Sequence, residues 1–113
     1  MSARALAAVE AIVGRGGDAD DVLRAVVAEL VLEPDIGWAG VLFLEDGELF
    51  LGPEAGVPDE ARRVRVPVSY QGTKVGELAV DGSMDAGVLE RVAATLSAHV
   101  LLGWDTGGDA WEP

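Results

Sequence analysis
The segment Trp38–Glu45 decides most about what this chain can become. It is apolar up to its final acid, and the pair Asp46-Gly47 follows it directly. An Asp-Gly pair between two β-rich runs marks a two-residue hairpin turn, because both central positions of that turn take positive φ. Glu48–Gly52 then supplies the returning strand. Along the first strand Trp38, Leu42 and Leu44 alternate with Ala39, Val41 and Phe43, so both of its faces are apolar. Such a strand belongs in the middle of a sheet with cover on each side.

A second hairpin follows. In Arg63–Tyr70, Val64, Val66, Val68 and Tyr70 share one face, and Arg63, Arg65, Pro67 and Ser69 share the other. Gln71-Gly72 marks its turn and Lys74–Asp81 the return. Pro67 has no N–H for a ladder, which predicts an edge strand or a bulge.

Helical periods flank the hairpins. Residues 2–14 carry Leu6, Val9 and Val13 at helical spacing before Gly14, Gly16 and Gly17 stop the pattern. Asp18 is placed to cap a second helix that runs to about Leu32, with Asp20 and Asp21 in its first turn and Pro34 beyond its end. Its stripe is Val22, Leu23, Val26, Val27 and Leu30. Met84–Leu102 forms the last helix, on the stripe Val88, Leu89, Val92, Leu96, His99 and Val100, with Gly103 where a left-handed cap would lie. The order α-α-β-β-β-β-α predicts an α+β domain over residues 1–103. Its N- and C-terminal helices are expected side by side on one face of an antiparallel sheet. Residues 104–113 read as an acidic, partly ordered tail.

Composition narrows the chemistry. A chain of 113 residues fits one domain, and with half its residues apolar it can offset its ordering entropy by burial. Twenty acids against eight bases give a net charge of −12, which opposes binding to nucleic acid or an anionic membrane. That acidic bias fits salt adaptation as well as it fits any partner. With no cysteine there are no disulfides, thiolate metal sites or cysteine nucleophiles, and one histidine cannot build a multi-histidine metal site. Asp18, Asp20 and Asp21 lack the Gly and distal Glu of a calcium loop, and Gly14–Gly17 has neither a preceding strand nor the Lys of a phosphate loop. No metal and no cofactor is expected. No targeting signal is visible, so a cytoplasmic location is the expectation.

The run Trp38-Ala39-Gly40-Val41-Leu42-Phe43, then Leu49-Phe50-Leu51-Gly52-Pro53, Gly56 and Pro58, resembles the GAF-domain family. The nearest branch is the free methionine-(R)-sulfoxide reductase type, and Val66-Pro67-Val68, Gly72 and Val75–Asp81 continue the likeness. The resemblance implies a strand order of 2-1-4-3. It also implies a long segment between the Leu-Gly-Pro turn and the Val-Pro-Val strand, carrying reactive cysteines and roofing a ligand cavity. Here Pro53–Ala61 leads almost directly to Arg62, and no cysteine exists to serve as nucleophile. The reading is therefore a shortened GAF-like chain that is not an enzyme: a regulatory or protein-interaction module, expected as a homodimer. The alternative is a degenerate small-molecule sensor binding an anionic metabolite on the sheet face.

The sites follow from charge and pattern. From Arg62 to Gly76 there are four bases (Arg62, Arg63, Arg65, Lys74) and no acid. They form either an anion-binding or partner-docking surface, or a solvated face paired with acids such as Glu77 or Glu48. Trp38 either lines a pocket or is core, and Tyr70 sets its hydroxyl at a strand end. Ala39, Val41 and Phe43 are assigned to an outer face away from the helices, with Ala8, Ala11 and Ile12 as a possible helix contact for a second copy. A ligand is thus expected near Trp38, Phe43, Arg63, Arg65 and Tyr70. An open cavity lined by Arg63 or Arg65 would favour the sensor, and a closed, filled face the interaction module.

Overall fold
The structure is a computed structural model that describes the backbone of residues 2–109 and the side chains of residues 4–101. Helices α1 (Ser2–Arg15) and α2 (Ala19–Leu30) precede strands β1 (Ile36–Glu45) and β2 (Glu48–Gly56). A short 3-10 turn, Glu60–Arg62, leads into β3 (Arg63–Tyr70), followed by β4 (Thr73–Gly82) and α3 (Ala86–Asp109). The four strands form one antiparallel sheet in the order β2-β1-β4-β3. β1 is central and β3, with its Pro67, is an edge, as their sequences require.

Both hairpin turns are built as their residues predict. Asp46 and Gly47 take φ of 53° and 82°, and Gln71 and Gly72 take 52° and 82°. These are the positive-φ pairs that match the twist of the flanking strands.

The helices lie on one side of the sheet. α2 and α3 pack directly on strands, and α1 packs chiefly on α2 and α3. The interior is made of cross-strand rows: Val41, Leu78 and Val66 stand opposite one another, as do Ala39 and Val80, with the exposed Val64 beyond them on the edge strand. The α2 stripe Val22, Leu23, Val26, Val27 and Leu30 meets these rows, together with Leu89, Val92, Leu96 and Val100 of α3. At about 25 cal/mol per Å² of apolar surface removed from water, this contact is the main source of stability.

Three expectations change. Ala39, Val41 and Phe43 point towards the helices and belong to the core, so the outer face of β1 carries Trp38, Gly40, Leu42 and Leu44 instead. The doubly apolar pattern does not say which face is which; the parity of the partners Val66, Val68 and Leu78 does. α3 continues through Gly103 to Asp109, beyond the expected end at Leu102. A glycine inside a helix costs only about 1 kcal/mol, and no proline lies between Gly103 and Asp109 to remove a donor. Of the expected tail, residues 110–113 lie outside the described residues. β2 also runs on to Gly56, past the expected Gly52, because a bulge opposite Gly40–Leu42 absorbs an extra residue and lets pairing resume. Among the described residues no helix is long and apolar enough to cross a membrane.

Candidate functional site
Among the described residues no helix lies over the outer face of the sheet. The connection from β2 to β3 is only residues 57–62, so little chain is available to roof it. At the end of the sheet nearest that connection, Trp38, Asp81 and Arg63 lie in one cross-strand row, with Trp38 opposite Asp81 and Asp81 opposite Arg63.

Trp38 lies flat because Gly40, two residues on and on the same face, has no side chain; a Cβ there would collide with the indole. The indole is 2 % exposed, and its Nε1 donates to Glu54 Oε1 at 2.8 Å. Glu54 reaches this face because of the β2 bulge. Plain alternation from Leu51 would turn Pro53 outward, whereas the extra residue puts Glu54 opposite Gly40.

Arg63 covers the indole, with its guanidinium carbon 4.2 Å from the ring centroid. From there Nε donates to Asp81 Oδ1 at 2.7 Å and Nη2 to Oδ2 at 2.9 Å, a two-pronged pair. Nη1 faces Glu60 at 3.6 Å. Asp81 is 1 % exposed and also accepts the Asp59 N–H at 2.6 Å. Hydrogen bonding to Arg63 holds the Asp81 carboxyl below its ordinary range, opposed by burial and helped by the Asp59 N–H. The same bond raises the Arg63 pKa.

Beside this cluster is an open recess of about 390 Å³ lined by Glu60, Arg63 and Arg65. Arg65 has donors to spare: its Nε lies 3.7 Å from Glu77 Oε1, beyond hydrogen-bond range. Lys74 Nζ donates to Glu77 Oε2 at 2.9 Å, and Arg62 Nη2 reaches the Asp35 carbonyl at 3.5 Å. Each of the four bases therefore has an acceptor or an acid nearby. Glu77 is one of the acids expected; Asp81 and Glu60 are not.

The structure thus gathers Trp38, Arg63 and Arg65 on one face. It does not bring Phe43 or Tyr70 to them. Phe43 is on the helix side, its ring filling the space beside Gly52. Tyr70 stands at the opposite end of β3 from Arg63, next to the turn, where Gln71 Nε2 lies 3.4 Å from its hydroxyl. Glu54, Glu60 and Asp81 are the participants that sequence reading missed. The signal for Asp81 was its acidic side chain at the end of an apolar strand.

No family model and no curated protein matches the chain by sequence. Solved structures do match. The GAF domain of an Acinetobacter phosphoenolpyruvate-protein phosphotransferase superposes with a TM-score of 0.73 at 15% identity, covering 96% of this chain and 98% of that one. The fold is GAF-like. A GAF sensor protein from Burkholderia vietnamiensis agrees, with a TM-score of 0.75 at 18% identity over 94% of this chain and 91% of the other. So does the free methionine-R-sulfoxide reductase of Neisseria meningitidis, solved with its substrate: TM-score 0.74, 17% identity, 93% and 91% covered.

The reductase corrects one expectation. The chain was read as not an enzyme, yet several enzymes of this type share the GAF-like fold with it. The absence of cysteine removes one nucleophile from this chain and does not make the fold a non-catalytic one.

Proposed function
We propose that this chain is a GAF-like regulatory module that senses a small anionic ligand on the outer face of its sheet. The observation that carries this reading is the open recess lined by Glu60, Arg63 and Arg65. Within it the two arginines have different tasks. Arg63 is committed to Asp81 and Trp38 and forms a wall, while Arg65, 56% exposed, offers its guanidinium to a carboxylate or phosphate. Glu60 stands across the recess as an acceptor for a donor on the ligand.

Thermal unfolding of the full chain with millimolar inorganic phosphate and small carboxylates tests this. A ligand at a hundred times its Kd stabilises the native state by about 2.7 kcal/mol, a shift of several degrees. We expect such a shift for at least one of these anions, lost in Arg65→Ala. No shift for any of them, or an equal shift in Arg65→Ala, overturns the reading.

A protein-docking role for the same face has its own support. Leu51 on β2 is 51% exposed, and Val57 at the mouth of the β2–β3 connection is more exposed still. Together with half-buried Leu42, Leu44 and Leu49 they form an apolar flank beside the charged cluster. Substituting Leu51→Lys leaves phosphate or carboxylate binding intact if the recess alone is used.

A further inference from the structure
The two edges of the sheet are not equally protected. β3 is blunted as an edge strand should be: Pro67 lacks an N–H, Arg63 and Arg65 carry charge along it, and the register slips between Val68 and Ser69. The first half of β2 has no such device. From Glu48 to Leu51 it pairs with β1 without interruption and holds no proline. Among the described residues no strand lies on its other side. The bulge and Pro53 come only later.

Register decides which backbone groups are left over. Asp46-Gly47 is a two-residue turn, so Glu45 and Glu48 close it as a hydrogen-bonded pair, and bonded pairs then alternate with unbonded ones. Phe43 and Phe50 are the next bonded pair. Leu49 and Leu51 stand on either side of Phe50, so their N–H and C=O groups point away from β1, along the open edge. The bond from the Val57 N–H to the Gly37 carbonyl fits the same alternation at the far end of β1.

Two donors and two acceptors at two-residue spacing are what an added strand takes. The side chains agree, since Leu51 on the outer face and Phe50 on the helix side are both exposed large apolar groups. Charge sets the kind of partner. Residues 36–57 hold the acids Glu45, Asp46, Glu48 and Glu54 and no base.

We infer that Glu48–Leu51 is a strand-addition site for an extended basic segment of a partner protein, apolar at alternate positions, with Lys or Arg near Glu48 and Glu54. β2 and β3 are opposite edges, so the site stands apart from the anion recess. It shares Leu51 with the apolar flank but is bound through backbone rather than through the face.

A capped seven-residue peptide, valine alternating with threonine and lysine at each end, tests this. Amide hydrogen exchange of the full chain is followed by NMR with and without millimolar peptide. The expected result is exchange slowed about tenfold at the Leu49 and Leu51 amides, as an occupancy of about nine in ten would give. Phe50, already bonded to β1, changes less. N-methylating the peptide amides that meet β2 keeps the side chains and is expected to weaken binding about tenfold. That control leaves the protein itself unaltered. Unchanged exchange at both amides overturns the inference, and so does equal binding of the N-methylated peptide or of one with glutamate in place of lysine. Protection of both amides that rises with protein concentration in the chain alone overturns it too, because a second copy would then hold the edge.

Discussion

Arg63 and Asp81 stand directly opposite each other on β3 and β4, so their two-pronged salt bridge is also a rung of the sheet. Backbone register places both groups before either side chain moves, which limits the entropy lost in pairing. One partner is almost wholly buried, and the other is stacked on Trp38. Removing Arg63 strands the Asp81 carboxylate in a site with little water, and removing Asp81 leaves Arg63 without its two-pronged partner.

Asp81→Asn should cost about 3 kcal/mol of stability at pH 7, read from urea unfolding. The sign of its pH dependence follows from the Asp81 pKa, which lies below its ordinary value of 3.8. A depressed carboxylate contributes its full stability above that ordinary value and loses it as pH falls through the native pKa. The wild-type and Asn curves are therefore expected to converge below about pH 3.8. Parallel curves throughout would show that the pair contributes nothing.

Arg63→Lys is not a conservative change here. Lysine offers a point charge, and it loses both the parallel second bond to Asp81 and the flat stacking on Trp38. A loss of about 1–2 kcal/mol is expected, seen as a lower urea midpoint at an unchanged slope.

Gly56→Ala tests the close approach that ends β2. Gly56 has φ of 91°, and a Cβ there would overlap the Gly37 carbonyl on the neighbouring strand. The backbone has to shift to accept it, next to Trp38, at a cost of about 2 kcal/mol or more. The matching change at Gly47 relieves no such overlap and creates none, since nothing lies near its missing Cβ. It should cost less, about 1 kcal/mol, from its φ alone.

Two neighbouring leucines separate core packing from surface exposure. Leu30 is fully buried, so Leu30→Ala should cost about 2–5 kcal/mol at any protein concentration. Leu32→Ala should cost less than about 0.5 kcal/mol in dilute monomer.

Much of the fold was legible because its instructions are local. The two positive-φ turns, the Asp18 start of α2 and the stripes of α2 and α3 each need only a few neighbouring residues to be read. Pro67 on an edge strand was equally direct. What could not be read was the identity of the sheet faces. Trp38 and Phe43 differ by an odd number of positions, so they cannot share a face of a regular strand, and only the partners across the ladder say which looks outward. The bulge that delivers Glu54 to Trp38 depends on pairing with β1 and leaves little trace in β2 itself. The pairing of Arg63 with Asp81 is likewise a long-range fact of register.

The sheet has two unlike poles. The turns at Asp46-Gly47 and Gln71-Gly72 sit together at one end, while Trp38, Asp81, Arg63 and residues 57–62 gather at the other. A fluorophore, an affinity tag or an inserted peptide placed in either turn therefore stays the length of a strand away from the charged cluster. Because the chain has no cysteine of its own, a single Gly47→Cys substitution would give one reactive handle per molecule. That pole is the natural place from which to watch the other one work.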